Sequence, residues 1–254
     1  MNRRIFALAT TALALLSVSP LACAADELRV MVHSSFSLPK PLLAQFEAQN
    51  GLKLALIKGG DAGEMLNKLI LTKAQPVADV VFGIDNTLVG KALAADVLEP
   101  DLPQAHDEVN SVLGKALVQV NYGFVAINFD KSTLARSSVA LPKTLQELAL
   151  PAYKNWLVTP NPATSSTGYA FLLATISAMG EEKAFEWWAQ MRSNGLKVVK
   201  GWSEAYYTEF SRNKGSYPLV VSYATSPAAE VFYSKEKISE SPTGSLFLTG
   251  GVFR

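Results

Sequence analysis

The sequence predicts an α/β protein organised as two lobes, each around a largely parallel sheet. Three observations predict it. From Leu28 onward, short β-like runs alternate with amphipathic helical runs, the order of an α/β domain. The alternation is interrupted by one long β-rich run, ALVQVNYGFVAINF (116–129), broken at Asn121-Tyr122-Gly123, and then restarts. With 254 residues and 49% hydrophobic content, the chain can bury one sizeable core or two smaller ones.

The first series runs as follows. LRVMV (28–32) reads as a strand. KPLLAQFEAQNG (40–51) reads as a helix with Leu42, Leu43 and Phe46 on one face and Gly51 as its stop. LKLALI (52–57) is a second strand and AGEMLNKLILTK (62–73) a second helix. ADVVFG (78–83) is a third strand, followed by the turn Ile84-Asp85-Asn86 and the helical run TLVGKALAA (87–95).

In the second series, TLQELA (144–149) is a short helix and NWLVTP (155–160) a strand. SSTGYAFLLATISAMG (165–180) and EEKAFEWWAQMRSNG (181–195) are helices closed by glycines. LKVVK (196–200) and YPLVVSY (217–223) are strands, with SEAYYTEFSRNKG (203–215) expected as the helix between them. The restart implies hinge strands near 120–126 and 219–224. The last residues, SPTGSLFLTGGVFR, form an apolar run with no element after it to cover a sheet edge. The expected division is a leader at 1–24, a first lobe at 25–121, a second lobe at 122–224, and a return to the first lobe at 225–254. The C-terminal part of that first lobe is expected to be missing.

The N-terminus reads as a secretory signal peptide. Arg3 and Arg4 form its basic start, an apolar run follows from Ile5 to about Val18, and Ala22-Cys23-Ala24 is the small-residue cleavage site. The run is too short for a spanning helix. Cys23 could instead carry a lipid anchor, for which Pro20 is badly placed. Cleavage after Ala24 leaves 21 basic residues against 22 acidic ones, because it removes two of the 23 basic residues. A near-neutral chain of mixed charge excludes nucleic acid as the expected partner. Cys23 is the only cysteine, so the mature chain would have no disulfide, zinc-thiolate site or thiol nucleophile. Export without disulfides fits a bacterial periplasm.

Ligands of open α/β sheets bind at the carboxyl ends of strands. That rule selects His33-Ser34-Ser35-Phe36, Gly59-Gly60-Asp61-Ala62-Gly63 and Gly83-Ile84-Asp85-Asn86-Thr87 from the first series. From the second it selects Thr164-Ser165-Ser166-Thr167-Gly168, Gly201-Trp202-Ser203-Glu204 and Tyr223-Ala224-Thr225-Ser226-Pro227. The hydroxyls of Thr164 and Ser165 at a helix start suit an anion such as phosphate, and equally suit ordinary N-capping. Asp61 and Asp85 could face a cation or an amino group, or cap their own helices. Trp202, Tyr206 and Tyr207 beside a helix start form either a pocket for something flat or cationic, or packing between two layers. Enzyme readings fare poorly: no Gly-x-Ser-x-Gly or His-Glu-x-x-His motif is present, and His33 and His106 are the only histidines.

At these loops, ADVVFGIDNT, NYGFVAINFDK, KGWSEAY and SYATSPA resemble the periplasmic thiamine-binding proteins of ABC importers. These belong to the two-lobed (type II) periplasmic binding proteins, a class that also holds ferric-iron, polyamine and phosphonate receptors. The resemblance runs from about Leu28 to Arg254. It implies two lobes closing by hinge bending around thiamine or a thiamine phosphate, then docking on an inner-membrane ABC permease, with no cofactor and as a monomer. It implies ligand contacts from Asp61, Asp85, Thr164, Ser165, Trp202 and Tyr206, and together with the strand-end loops the expected contact set is Ser34, Ser35, Asp61, Asp85, Asn86, Tyr122, Thr164, Ser165, Trp202, Tyr206, Tyr223 and Ser226. The sequence departs from the family pattern at Ser34, where members often carry Asp, and at Ala228-Ala229, where they can carry an aromatic. Members also continue beyond this point. The alternative ligand is ferric iron, held by Tyr206 and Tyr207 with His33 and Glu64. A remoter alternative is a secreted structural domain without a ligand.

Overall fold

A computed structural model describes residues 26–99 and 116–248. The leader at 1–24, His106 and residues 249–254 lie outside the described residues. Among the described residues, no helix is long and apolar enough to cross a membrane.

The first lobe contains β1 (Glu27–His33), α1 (Lys40–Asn50), β2 (Lys53–Gly60), α2 (Ala62–Leu71), β3 (Val80–Phe82) and α3 (Val89–Ala94). Its three strands are all parallel in the order β2-β1-β3. Parallel pairing requires a crossover helix at each step, and α1 and α2 supply them. Gly51 takes a left-handed φ of 66° and ends α1 through an N–H bond to the Glu47 carbonyl. The lobe's core is small: Met31, Met65, Leu66, Leu88, Ala62 and Ala92. Among the described residues, none covers the expected apolar face of α1. The helix has no buried residue, and Leu42 and Phe46 are 49% and 40% exposed.

The second lobe contains β4 (Val125–Asp130), α4 (Lys131–Ala135), α5 (Leu145–Leu148), β5 (Leu157–Pro160), α6 (Ser166–Met179) and α7 (Glu181–Ser193). It continues with β6 (Lys197–Val199), α8 (Trp202–Glu204), β7 (Leu219–Tyr223), α9 (Ser226–Phe232) and β8 (Thr243–Leu246). The five strands are ordered β6-β5-β7-β4-β8. β5 is parallel to β6 and β7, whereas β4 is antiparallel to β7 and β8. One face packs on α6 and α7 through Phe171, Trp187, Met191 and Leu148. The Trp187 indole N–H donates to the Leu145 carbonyl at 2.7 Å, so this large ring is buried with its one donor satisfied. The other face packs on Tyr206 and Phe210.

Three expectations are corrected. The long β-run becomes a strand only from Val125; residues 117–124 run without strand pairing, although the Ala224 N–H donates to the Phe124 carbonyl. The helix expected at 203–215 is instead α8 followed by a π-turn at Ala205–Glu209 and a 3-10 turn at Ser211–Asn213. The return of 225–254 to the first lobe is not what β8 does: it pairs with β4, Asn128 opposite Ser245, and extends the second sheet. That position satisfies the outer edge of β4, which would otherwise present unpaired backbone.

Candidate functional site

The strand ends of both lobes face each other, as the strand-end rule requires. The loops meet along one line, and Asp61 is its centre. It caps α2, its Oδ1 accepting from the Ala62 N–H at 2.7 Å. It also reaches the other lobe: Oδ2 accepts from the Trp202 N–H at 2.8 Å, and Oδ1 from the Ser166 N–H at 3.4 Å. Those two N–H groups begin α8 and α6, where helices leave donors without internal partners. His33 Nε2 lies 3.6 Å from Asp61 Oδ2, while its Nδ1 accepts from the Ser35 N–H. Burial pushes the Asp61 carboxyl up, but the bonds from His33 and the Trp202 N–H outweigh it and hold the group below the usual range.

Neighbouring contacts follow the same line. The Glu64 N–H donates to the Thr164 carbonyl at 3.1 Å. Lys200 Nζ reaches the Glu64 carboxylate at 3.1 Å, and Ser34 Oγ stands 3.4 Å from Ser203 Oγ. Burial raises the Glu64 carboxyl, while Lys200 and Lys68 lower it by more.

Beside this line stands an aromatic cluster. Trp202 stacks on Tyr206 with centroids 5.2 Å apart and planes 22° apart. Its indole N–H donates to Ser222 Oγ at 2.8 Å, and Ser222 is bonded to Ser226 at 2.9 Å. Tyr206 is only 4% exposed and donates its hydroxyl to Glu230 at 2.9 Å. Burial, then Glu230, pushes the Tyr206 hydroxyl well above its ordinary range. Tyr207 meets the Trp202 edge at 5.3 Å and is raised by burial and then Glu230. Tyr223 lies 6.1 Å from Trp202 on the cleft side. Its hydroxyl is pushed up to about 12, by burial first and by Asp61 next.

A cleft of about 1370 Å³ runs along β3 and residues 116–123 and meets the second lobe at Val125, Ser166, Ala170 and Tyr223. Phe82, Asp85, Asn86, Tyr122, Ser166 and Tyr223 are among its walls. Small-molecule sites usually occupy roughly 300–1,000 Å³, so this cleft is roomy for one organic ligand. Asp85 Oδ1 accepts from the Thr87 N–H at 2.9 Å and its hydroxyl at 2.6 Å, which pins the carboxylate in a turn.

The twelve expected contacts therefore separate into groups. Asp85, Asn86, Tyr122 and Tyr223 face the cleft. Asp61, Ser34 and Thr164 lie on the line between lobes, and Ser35 bonds back to His33 at 2.7 Å. Trp202 stands behind Tyr223. Tyr206, Ser165 and Ser226 are buried supports; Ser165 Oγ is bonded to Thr167 Oγ1 at 3.0 Å. The iron set does not converge: His33 faces Asp61, Glu64 faces two lysines, and the Tyr206 hydroxyl is given to Glu230. The structure adds Ser166, Ser222 and Glu230 to the expected site residues. Ser166 stands within the TSSTG loop, whereas the other two have no local sequence signal.

Residues 75–235 match the family model for bacterial extracellular solute-binding proteins. The thiamine-binding periplasmic protein of Brucella abortus is 32% identical over 243 residues, covering 91% of this chain and 69% of that protein. The Escherichia coli K12 protein of the same description is 32% identical over 217 residues, covering 82% and 63%. The chain belongs to the periplasmic thiamine-binding protein family. A solved periplasmic thiamin binding protein superposes with a TM-score of 0.71 at 27% identity, covering 90% of this chain and 72% of that one. An iron-bound HitA from Pseudomonas aeruginosa shares the fold at a TM-score of 0.60 and 16% identity, covering 90% and 73%. Within the thiamine-binding family, this chain thus has the two-lobed solute-receptor architecture that iron receptors also use.

Proposed function

We propose that the protein is a periplasmic receptor of an ABC importer. It captures thiamine or a thiamine phosphate between its lobes and delivers it to an inner-membrane permease, binding without catalysis. It works as a monomer, after removal of the leader at 1–24. One observation carries the reading: Tyr223 and Asp85 share a wall of the interlobe cleft, with the pinned Trp202 ring directly behind Tyr223. Thiamine is a flat aminopyrimidine joined to a cationic thiazolium. Aromatic faces attract such a cation by about 1–2 kcal/mol once water is excluded, and a fixed carboxylate complements the cation or the amino group. Ser166, in the cleft wall at the start of α6, is the candidate contact for the hydroxyethyl end, its N–H being already given to Asp61.

Calorimetric titration of the mature chain with thiamine, and in parallel with thiamine phosphate, tests it. Submicromolar affinity is expected. Tyr223→Ala should weaken binding by roughly 10- to 100-fold, the loss of the aromatic ring in the cleft wall. Ferric citrate, followed by visible absorbance, should give no tyrosinate band. Absence of thiamine binding together with an iron band would replace this reading.

A further inference from the structure

We propose that Gly63 and Glu64 of the first lobe, with Thr164 and Lys200 of the second, form a closing clasp that sets how long a captured ligand is retained. None of the four lines the cleft, so their influence is on lobe position and not on ligand contact. The two halves are matched. The Glu64 N–H donates to the Thr164 carbonyl at 3.1 Å, and the Glu64 carboxylate receives Lys200 Nζ. Thr164 Oγ1 donates in turn to the Lys200 carbonyl, which ties the second-lobe half together. Lys68 shares Glu64 at 3.2 Å and orients it from its own helix. The side chains of Lys200 and Glu64 are 67% and 22% exposed, so the ion pair of the clasp lies near the surface.

Gly63 shows how close the approach is. A Cβ there would stand 2.8 Å from the Thr164 carbonyl carbon and 2.9 Å from its oxygen. Both are backbone atoms and cannot rotate away. Any side chain at 63 would therefore wedge the lobes apart. The wedge has a useful property as a probe. Gly63 lies in the first turn of α2, where alanine is the better helix former. Gly63→Ala should thus favour α2 itself while disfavouring closure, which ordinary loss of stability cannot mimic. A hinged receptor with two populations shifts toward the open one when contacts unique to the closed form are removed. A ligand between the lobes leaves only on opening, so the effect falls on dissociation.

The retention claim rests on the thiamine reading; the closure claim does not. Small-angle scattering of the mature protein without ligand, and stopped-flow exchange of thiamine, test the two. Gly63→Ala should increase the radius of gyration and raise the thiamine dissociation rate roughly tenfold, with association changed much less. Glu64→Lys and Lys200→Glu should each speed dissociation by about two- to fivefold, the scale of a surface ion pair, and the double charge swap should recover part of that loss, the remainder being repulsion between position 64 and Lys68. An unchanged scattering profile in Gly63→Ala overturns the clasp, as does expansion without faster dissociation. If thiamine fails to bind the parent protein, the receptor reading fails, and scattering alone decides whether the clasp closes the lobes.

Discussion

Asp61 is one residue with two structural duties. It is 7% exposed and accepts N–H bonds from its own helix and from two helix starts of the other lobe. Asparagine offers only one oxygen to those donors and turns an NH2 toward the rest. Asp61→Asn should therefore destabilise the protein by about 1–3 kcal/mol at pH 6. The pH dependence has a definite sign. The folded carboxyl titrates below its unfolded value of about 3.9, so its contribution is complete above that value and is lost as pH falls through the folded pKa. Urea denaturation at pH 6 and at pH 3 checks this: the deficit of Asp61→Asn should shrink at the lower pH, and an equal deficit at both would show that the charge is irrelevant. The sequence made half of this role legible. Asp61 before a helical run reads as a cap, but its partners Ser166 and Trp202 lie 105 and 141 residues away. Pairings at that separation leave no local pattern.

The segment from Trp202 to Asn213 shows where element-level periodicity fails. Its apolar spacing suits a helix, yet the Phe210 N–H bonds to the Ala205 carbonyl, five residues back, and the helix widens into a π-turn. The wider turn lets Tyr206 lie flat under Trp202 while its hydroxyl reaches Glu230. Glu230 is held in turn by Arg212 at 3.5 Å. No feature of SEAYYTEF announces a partner on α9. Tyr206→Phe separates the two functions of this residue. It removes a hydrogen bond to a charged acceptor, which should lower stability by about 1.5–3 kcal/mol. It keeps the ring beneath Trp202, so thiamine affinity should stay within about twofold if Tyr206 acts only as a support. Melting curves and calorimetry on the same sample check both. A large loss of affinity would mean that the hydroxyl meets the ligand.

For the whole molecule, the two-lobed α/β plan was legible because parallel strands and crossover helices each have a period. The sheet to which β8 belongs was not, because a short strand, TGSL, fits either edge equally well by pattern. The lobes also differ in how much core they hold. Among the described residues, the first gathers one buried cluster of six beneath a three-stranded sheet, and α1 has no buried residue. The second buries two clusters on opposite faces of a five-stranded sheet, including Phe171 at 0% exposure between Trp187 and Trp188. Burial contributes about 25 cal/mol per Å² of apolar surface, so the second lobe should be the more stable unit, and unfolding should take two steps. The sequence supplies a reporter for the second lobe alone. All four tryptophans, Trp156, Trp187, Trp188 and Trp202, belong to the second lobe. Tryptophan emission therefore follows that lobe, whereas far-ultraviolet circular dichroism follows both. In urea without ligand, the dichroism should begin to fall before the emission shifts. Saturating thiamine, which would bridge the lobes, should bring the two curves together and raise the earlier midpoint most. Coincident curves without ligand would show that Asp61 and the contacts around it couple the lobes into a single cooperative unit.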